Sequence, residues 1–128
     1  MDDANVPSLL SMPYLGYCKK EDTLYQHTRS FILSHHNPYY YQGTCASGIG
    51  SPHTPKNYIW HIALSMQGLT GTKEEAKKMI NLFLETSNNE GLCHEEFNKD
   101  EPSEYTRSWF AWANSLFAEL VYQTYFVK

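Results

Sequence analysis

Between Asn37 and Pro55 the chain carries Pro38, Gly43, Gly48, Gly50, Pro52 and Pro55, with Tyr39, Tyr40 and Tyr41 embedded among them. Proline removes a backbone donor and glycine frees the backbone, so no helix runs through this stretch. The chain must fold around an irregular segment in its first half and place its regular elements on either side. A long ordered loop of this kind inside a compact domain is usually functional. At 128 residues there is room for one core and not for a second domain.

The flanking sequence reads as helical. Asn5 is placed to cap a short helix over 6–12, with Pro7 in its first turn and Pro13 and Gly16 ending it. Asp22 caps a second, in which Leu24, His27, Phe31 and Ile32 recur at helical spacing until His35-His36-Asn37-Pro38 stops it. A third covers about 56–69, with Ile59, Ile62, Ala63, Met66 and Leu69 in one stripe ahead of Gly71. Thr72-Lys73-Glu74-Glu75 is a capping box that opens a fourth, with Ala76, Met79, Ile80, Phe83 and Leu84 inward. Leu92 to Phe97 reads as loop or irregular strand, and Asp100-Glu101-Pro102 as a break. The last helix, over about 104–125, puts Trp109, Ala113, Leu116, Leu120 and Val121 on one apolar face. The expected fold class is all-α, a succession of αα-hairpins laid side by side as a bundle or a toroid.

Charge narrows the choice of partners. The net charge is −4 and Lys and Arg are scattered, so no basic stripe is available to neutralise phosphates and nucleic acid is not an expected partner. The N-terminal Met1-Asp2-Asp3-Ala4-Asn5 is acidic where a secretory signal is basic, and no apolar run approaches the roughly 18 residues that cross a bilayer. A cytoplasmic chain without a membrane partner is expected. Cys18, Cys45 and Cys93 are odd in number and lack C-x-x-C spacing, which predicts free, mostly buried thiols. The ten Tyr and three Trp exceed what a core of this size requires. They either line a groove that grips a flat ligand such as a sugar or pack helix against helix.

Three loop segments combine acids, histidine and small residues in ways that packing does not explain. Asp2, Asp3 and Asn5 cluster before a predicted helix N-terminus, where a dipole interaction accounts for acids equally well. Ser47, Gly48, Gly50 and Ser51 leave the backbone open to close approach beside His53, or form a simple turn. His94, Glu95 and Glu96 sit between apolar Leu92 and Phe97, where desolvation can raise a carboxylate towards what a general base needs, although a lone Glu in such a place is more often a surface acid. His-Glu-Glu is not His-Glu-x-x-His, and the histidines show no zinc spacing, so no metal is expected.

Four runs, Asp2 to Leu10, Gly48-Ile49-Gly50-Ser51-Pro52-His53, Tyr58-Ile59-Trp60 and Tyr105 to Asn114, are similar to glycoside hydrolase family 125 over nearly the whole chain. The resemblance implies the C-terminal portion of an (α/α)6 barrel, whose members remove terminal α-1,6-linked mannose with inversion and without metal or cofactor. Where the family has His-Glu-Ser-Phe this chain has His94-Glu95-Glu96-Phe97. Glu95 is therefore the implied general base, with Glu96 standing where Ser is usual. Asp2, Asp3, Asn5, His53, His94 and Arg107 are implied contacts to the sugar hydroxyls. Two further departures are His61, where the family tends to have Pro, and His27, where Asn is usual.

An inverting hydrolase needs a general acid opposite the base, with the two carboxyls roughly 6.5–9.5 Å apart. The resemblance places that acid upstream of this sequence, so the chain is expected to be a single partial domain, 1–128, inactive alone and completed by the missing N-terminal part. The alternative is a non-catalytic carbohydrate-binding or interaction remnant. An open arc of hairpins leaves an apolar seam in water. At about 25 cal/mol per Å², a few hundred Å² costs several kcal/mol against a total stability of about 5–15 kcal/mol. A sticky, partly molten or partnered chain is expected.

Overall fold

A computed structural model describes residues 2–128. It contains four helices and five short strands: α1 (Thr23–Ile32), β1 (Tyr40–Gln42), β2 (Ser47–Ile49), β3 (Tyr58–Trp60), α2 (His61–Thr70), α3 (Lys73–Thr86), β4 (Glu96–Asn98), β5 (Tyr105–Thr106) and α4 (Ala111–Tyr125). The fold is thus mixed α and β. The expectation of an all-α chain of consecutive αα-hairpins, part of an (α/α)6 barrel, is corrected by two antiparallel sheets. One is the β1–β2 pair, with Tyr40 opposite Ile49. The other is ordered β3-β4-β5, with Trp60 opposite Glu96 and Glu96 opposite Thr106. Each strand is two or three residues long, too short for alternation to register in sequence, where about four are needed.

Helix α2 is the centre of the molecule. Eight of its ten residues are buried, so it carries apolar side chains all round, and α3 and α4 both pack against it. Gly68 is where α4 comes closest, since a Cβ there would lie 2.7 Å from Leu120 Cδ1. Ile59 and Phe97, both fully buried, tie the three-stranded sheet to Leu64, Ala76, Met79 and Ile80 of the helices. The sheet therefore rests on the helical core, which three such short strands need in order to persist.

The starts of α1 and α3 were legible from their caps. Asp22 Oδ1 accepts from the Tyr25 amide at 2.9 Å, and Thr72 Oγ1 from the Glu75 amide at 3.1 Å. The Glu75 carboxylate does not return to Thr72; it pairs with Arg29 at 2.9 Å and accepts from Gln67 at 2.9 Å. The inward faces differ in part from expectation. In α1 Tyr25 and Ile32 are buried while Leu24 and Phe31 are exposed, and in α3 Leu84 faces solvent.

The helix expected over 6–12 is absent, replaced by turns. The Asp2 carboxylate accepts from the Leu9 and Leu10 amides at 2.9 and 3.1 Å, and the Ser8 amide donates to Ser11 Oγ at 2.8 Å. Side chains thus take the donors that a helical ladder would use. Helix α4 begins at Ala111 and not near 104, since Tyr105–Thr106 form β5 and residues 107–110 are irregular, with Trp109 exposed. Trp112, Tyr122, Tyr125 and Phe126 are also exposed. The cysteines are free, but only Cys93 is buried, and burial pushes its thiol up to about 12. Among the described residues no helix is long and apolar enough to cross a membrane.

Candidate active site

The register of the three-stranded sheet builds the centre of the site. Glu96 lies opposite Thr106 and Phe97 opposite Tyr105, so one step beyond the paired residues brings Glu95 opposite Arg107. Arg107 Nε donates to Glu95 Oε2 at 2.7 Å, the short distance of a charge-assisted bond. Glu95 is 19% exposed and Arg107 64%, so the carboxylate is half sheltered and the guanidinium stands at the rim. Arg107 holds φ at 49°, a left-handed conformation that costs a branchless L-residue about 1–2 kcal/mol. It turns the chain out of β5 and lets the guanidinium lie 5.5 Å from the centre of the Phe110 ring. Arg107 was singled out from resemblance; its pairing with Glu95 needed the register.

On either side of Glu95 the chain turns inward. His94 is fully buried and stacks on Tyr105 with centroids 3.8 Å apart and planes within 6°. Neither ring nitrogen has a hydrogen-bond partner. Burial lowers the imidazole below its ordinary range, and the nearby backbone of Ser108 and Arg107 offsets this in part. Glu96 is also buried; its Oε1 accepts from Thr106 Oγ1 at 2.9 Å and its Oε2 has no partner. Further contacts come from residues that sequence reasoning did not select. Cys93 N–H donates to Asn114 Oδ1 at 3.0 Å, and the His94 amide donates to His61 Nδ1 at 2.9 Å. These partners lie 21 and 33 residues away, and nothing local in the sequence marks them.

The other candidates form a second group. Ala4 N–H donates to the Gly50 carbonyl at 2.9 Å, laying the N-terminal segment along the end of β2. Asp3 Oδ1 accepts from the Asn5 amide at 2.7 Å and from its side chain at 3.0 Å, and Asn5 Nδ2 reaches Ser51 Oγ at 3.5 Å. Ser51 Oγ accepts in turn from the amide of the exposed His53 at 3.3 Å. Asp3, Asn5, Ser51 and His53 are thus brought together. Asp2 is buried and gives both carboxylate oxygens to the Leu9 and Leu10 amides; burial raises its carboxyl, with those two bonds opposing. Trp60 links the groups, since it pairs with Glu96 in the sheet and donates its indole N–H to Thr54 Oγ1 at 2.9 Å, next to Ser51. A cavity of about 510 Å³ between α2, α3 and α4 holds none of the candidate residues. Among the described residues no three His, Cys, Asp or Glu side chains are placed to hold a metal ion.

The sequence profile of metal-independent alpha-mannosidases, GH125, matches residues 1–122. The meiotically up-regulated gene 157 protein of Schizosaccharomyces pombe is 46% identical over 123 residues, which are 94% of this chain and 24% of that protein. A Streptococcus pneumoniae protein, solved in a study of metal-independent alpha mannosidases as a non-productive complex with alpha-1,6-mannobiose, is 54% identical. It superposes with a TM-score of 0.95 over 97% of this chain and 29% of its own. The chain therefore spans about a quarter of the curated relative it matches. With a profile covering all but the last residues and a fold shared at this level of identity, the chain belongs to the metal-independent alpha-mannosidases of family GH125.

Proposed function

We propose that the protein to which these residues belong removes terminal α-1,6-linked mannose with inversion, and that Glu95 is its general base. The observation that carries this is the half-sheltered Glu95 carboxylate, clamped by Arg107 across the sheet register, in a chain that superposes on a protein holding alpha-1,6-mannobiose. With Oε2 held by Arg107, Glu95 takes a proton from water through its other oxygen. That water attacks the anomeric carbon as the glycosidic C–O bond breaks, and the leaving oxygen receives its proton from a general acid. The acid comes from chain beyond these 128 residues, which on their own are inactive. Asp3, Asn5, His53 and Arg107 contact the sugar hydroxyls, while the buried Asp2 and His94 act through the shape of their segments. Exposed Trp109 and Trp112, which in sequence flank the Phe110 that Arg107 lies over, offer ring faces to the sugar.

The test is mannose release from α-1,6-mannobiose by the complete protein and by Glu95→Gln, with the anomer of the product followed by proton NMR. Release of β-mannose that Glu95→Gln loses supports the assignment. Release of α-mannose, or equal rates in both proteins, refutes it, and saturable binding without release by either favours the carbohydrate-binding alternative.

A further inference from the structure

We infer that His61 is a positioning residue for Glu95, its Nδ1 lone pair pinning the main-chain amide of His94 and so fixing the segment from which the base projects. This rests on the reading of Glu95 as the base. The geometry begins at Thr86, whose hydroxyl donates to the Leu82 carbonyl at 2.8 Å. Its single proton is used there, so across the 2.9 Å contact with His61 Nε2 it can only accept. Nε2 therefore carries the imidazole proton, and Nδ1 is left as an acceptor facing the His94 amide at 2.9 Å. The order is His94 N–H to His61, His61 N–H to Thr86, Thr86 O–H to Leu82, each bond polarising the next. The ring is 1% exposed and is enclosed by Phe83 and Phe97 with centroids 5.3 and 4.7 Å away, so it has no room to flip or swing.

The position of this contact gives it consequence. Cys93 is anchored on one side, its amide on Asn114 and its carbonyl accepting from Phe110 N–H at 3.0 Å. Glu96 is anchored on the other by its pairing in the sheet. His61 holds the amide of His94 between them, in the residue that precedes Glu95. It is also the first residue of α2 and follows the last residue of β3, so the clamp ties the base directly to the central helix.

Two variants of the complete protein separate this role from plain packing. His61→Asn keeps an acceptor at the place of Nδ1 and loses the reach to Thr86; His61→Gln reaches Thr86 and offers nothing at Nδ1. Both lose the ring, so their losses of thermal stability are expected to be similar. Misplacing a reacting group by about 1 Å costs on the order of a hundredfold in rate. His61→Gln is expected to lower kcat by about ten- to a hundredfold with KM within twofold, and to speed hydrogen exchange at the His94 amide by at least about tenfold. His61→Asn is expected to restore both towards the parent. Equal kcat in the two variants, or unchanged His94 exchange in His61→Gln, overturns the proposal. If the parent itself releases no mannose, or Glu95→Gln is fully active, the base assignment fails; the exchange rates still decide whether His61 holds the His94 amide.

Discussion

Acidification should act on this fold through His61 more than through any other single group, and the effect is measurable as a difference between two chains. Burial lowers the His61 imidazole from its ordinary 6.5 to about 3, with the neighbouring His94 adding to the shift and the bond from its amide opposing it. The unfolded chain therefore takes up this proton first as the pH falls. The sign follows: stability tied to neutral His61 is fully present above about pH 6.5 and is lost progressively down to about pH 3. For a one-proton difference the folding constant falls about tenfold per pH unit. Compared with His61→Asn, which has no proton to bind there, the parent should lose about tenfold by pH 5.5 and about a hundredfold by pH 4.5, roughly 3 kcal/mol. Asp2, whose carboxyl is raised, contributes with the opposite sign and is common to both chains, so it cancels. Urea unfolding midpoints at pH 7.5, 6.5, 5.5 and 4.5 measure the ratio. A ratio of folding constants that stays constant across that range would mean that His61 takes up its proton as readily in the fold as in the unfolded chain, and the effect assigned to burial would be wrong.

Arg107→Gln should leave thermal stability within about 1 kcal/mol, because the exposed guanidinium makes a solvent-screened pair; in the complete protein it should lower kcat for mannobiose by at least about tenfold, read by initial rates. Gly50→Ala would drive a Cβ into the Tyr58 carbonyl and to 2.6 Å from Tyr41 Cε2. The bonds from Gly50 N–H to Tyr39 and from Ala4 N–H to Gly50 would have to shift, at about 1–3 kcal/mol, seen as a lower melting temperature. Thr72→Ala should cost about 1 kcal/mol through the lost cap on α3, and Thr72→Ser should recover most of it in the same melting experiment.

The helices were legible wherever a side chain and a stripe agreed. Asp22 and Thr72 announce α1 and α3, and Ala76, Met79, Ile80 and Phe83 give α3 its buried face. The N-terminal segment misled because Asn5 and Pro7 imitate a helix start, while the group that organises the backbone there is Asp2, seven and eight residues from its partners. The strands escaped notice for a different reason. Tyr58-Ile59-Trp60 joins directly to α2, so Ile59 falls into the helical spacing of Ile62 and Met66 although its own backbone is extended. At the site, an acid among apolar neighbours drew attention to Glu95, and resemblance to Arg107. His61 stood out only as a departure from the family, because its part depends on a contact with a residue 33 positions away.

Those short strands matter more to the chemistry than their length suggests. A two-residue strand holds Arg107 opposite Glu95 only while the register of β4 and β5 is fixed, and a slip of one residue would send the two side chains to opposite faces. Backbone bonds over two or three residues do not supply that precision alone. Phe97 and Ile59 do, because both are fully buried against α2, α3 and α4, and either can leave its place only by opening the helical core. Glu95 lies immediately before Phe97's strand and is held at its own neighbour by the first residue of α2. Glu95 thus takes its position from residues buried in the helical core, although it sits in what the sequence presents as a loop. Loss of core packing at Phe97 is therefore expected to weaken the Glu95–Arg107 contact at substitutions that touch neither residue.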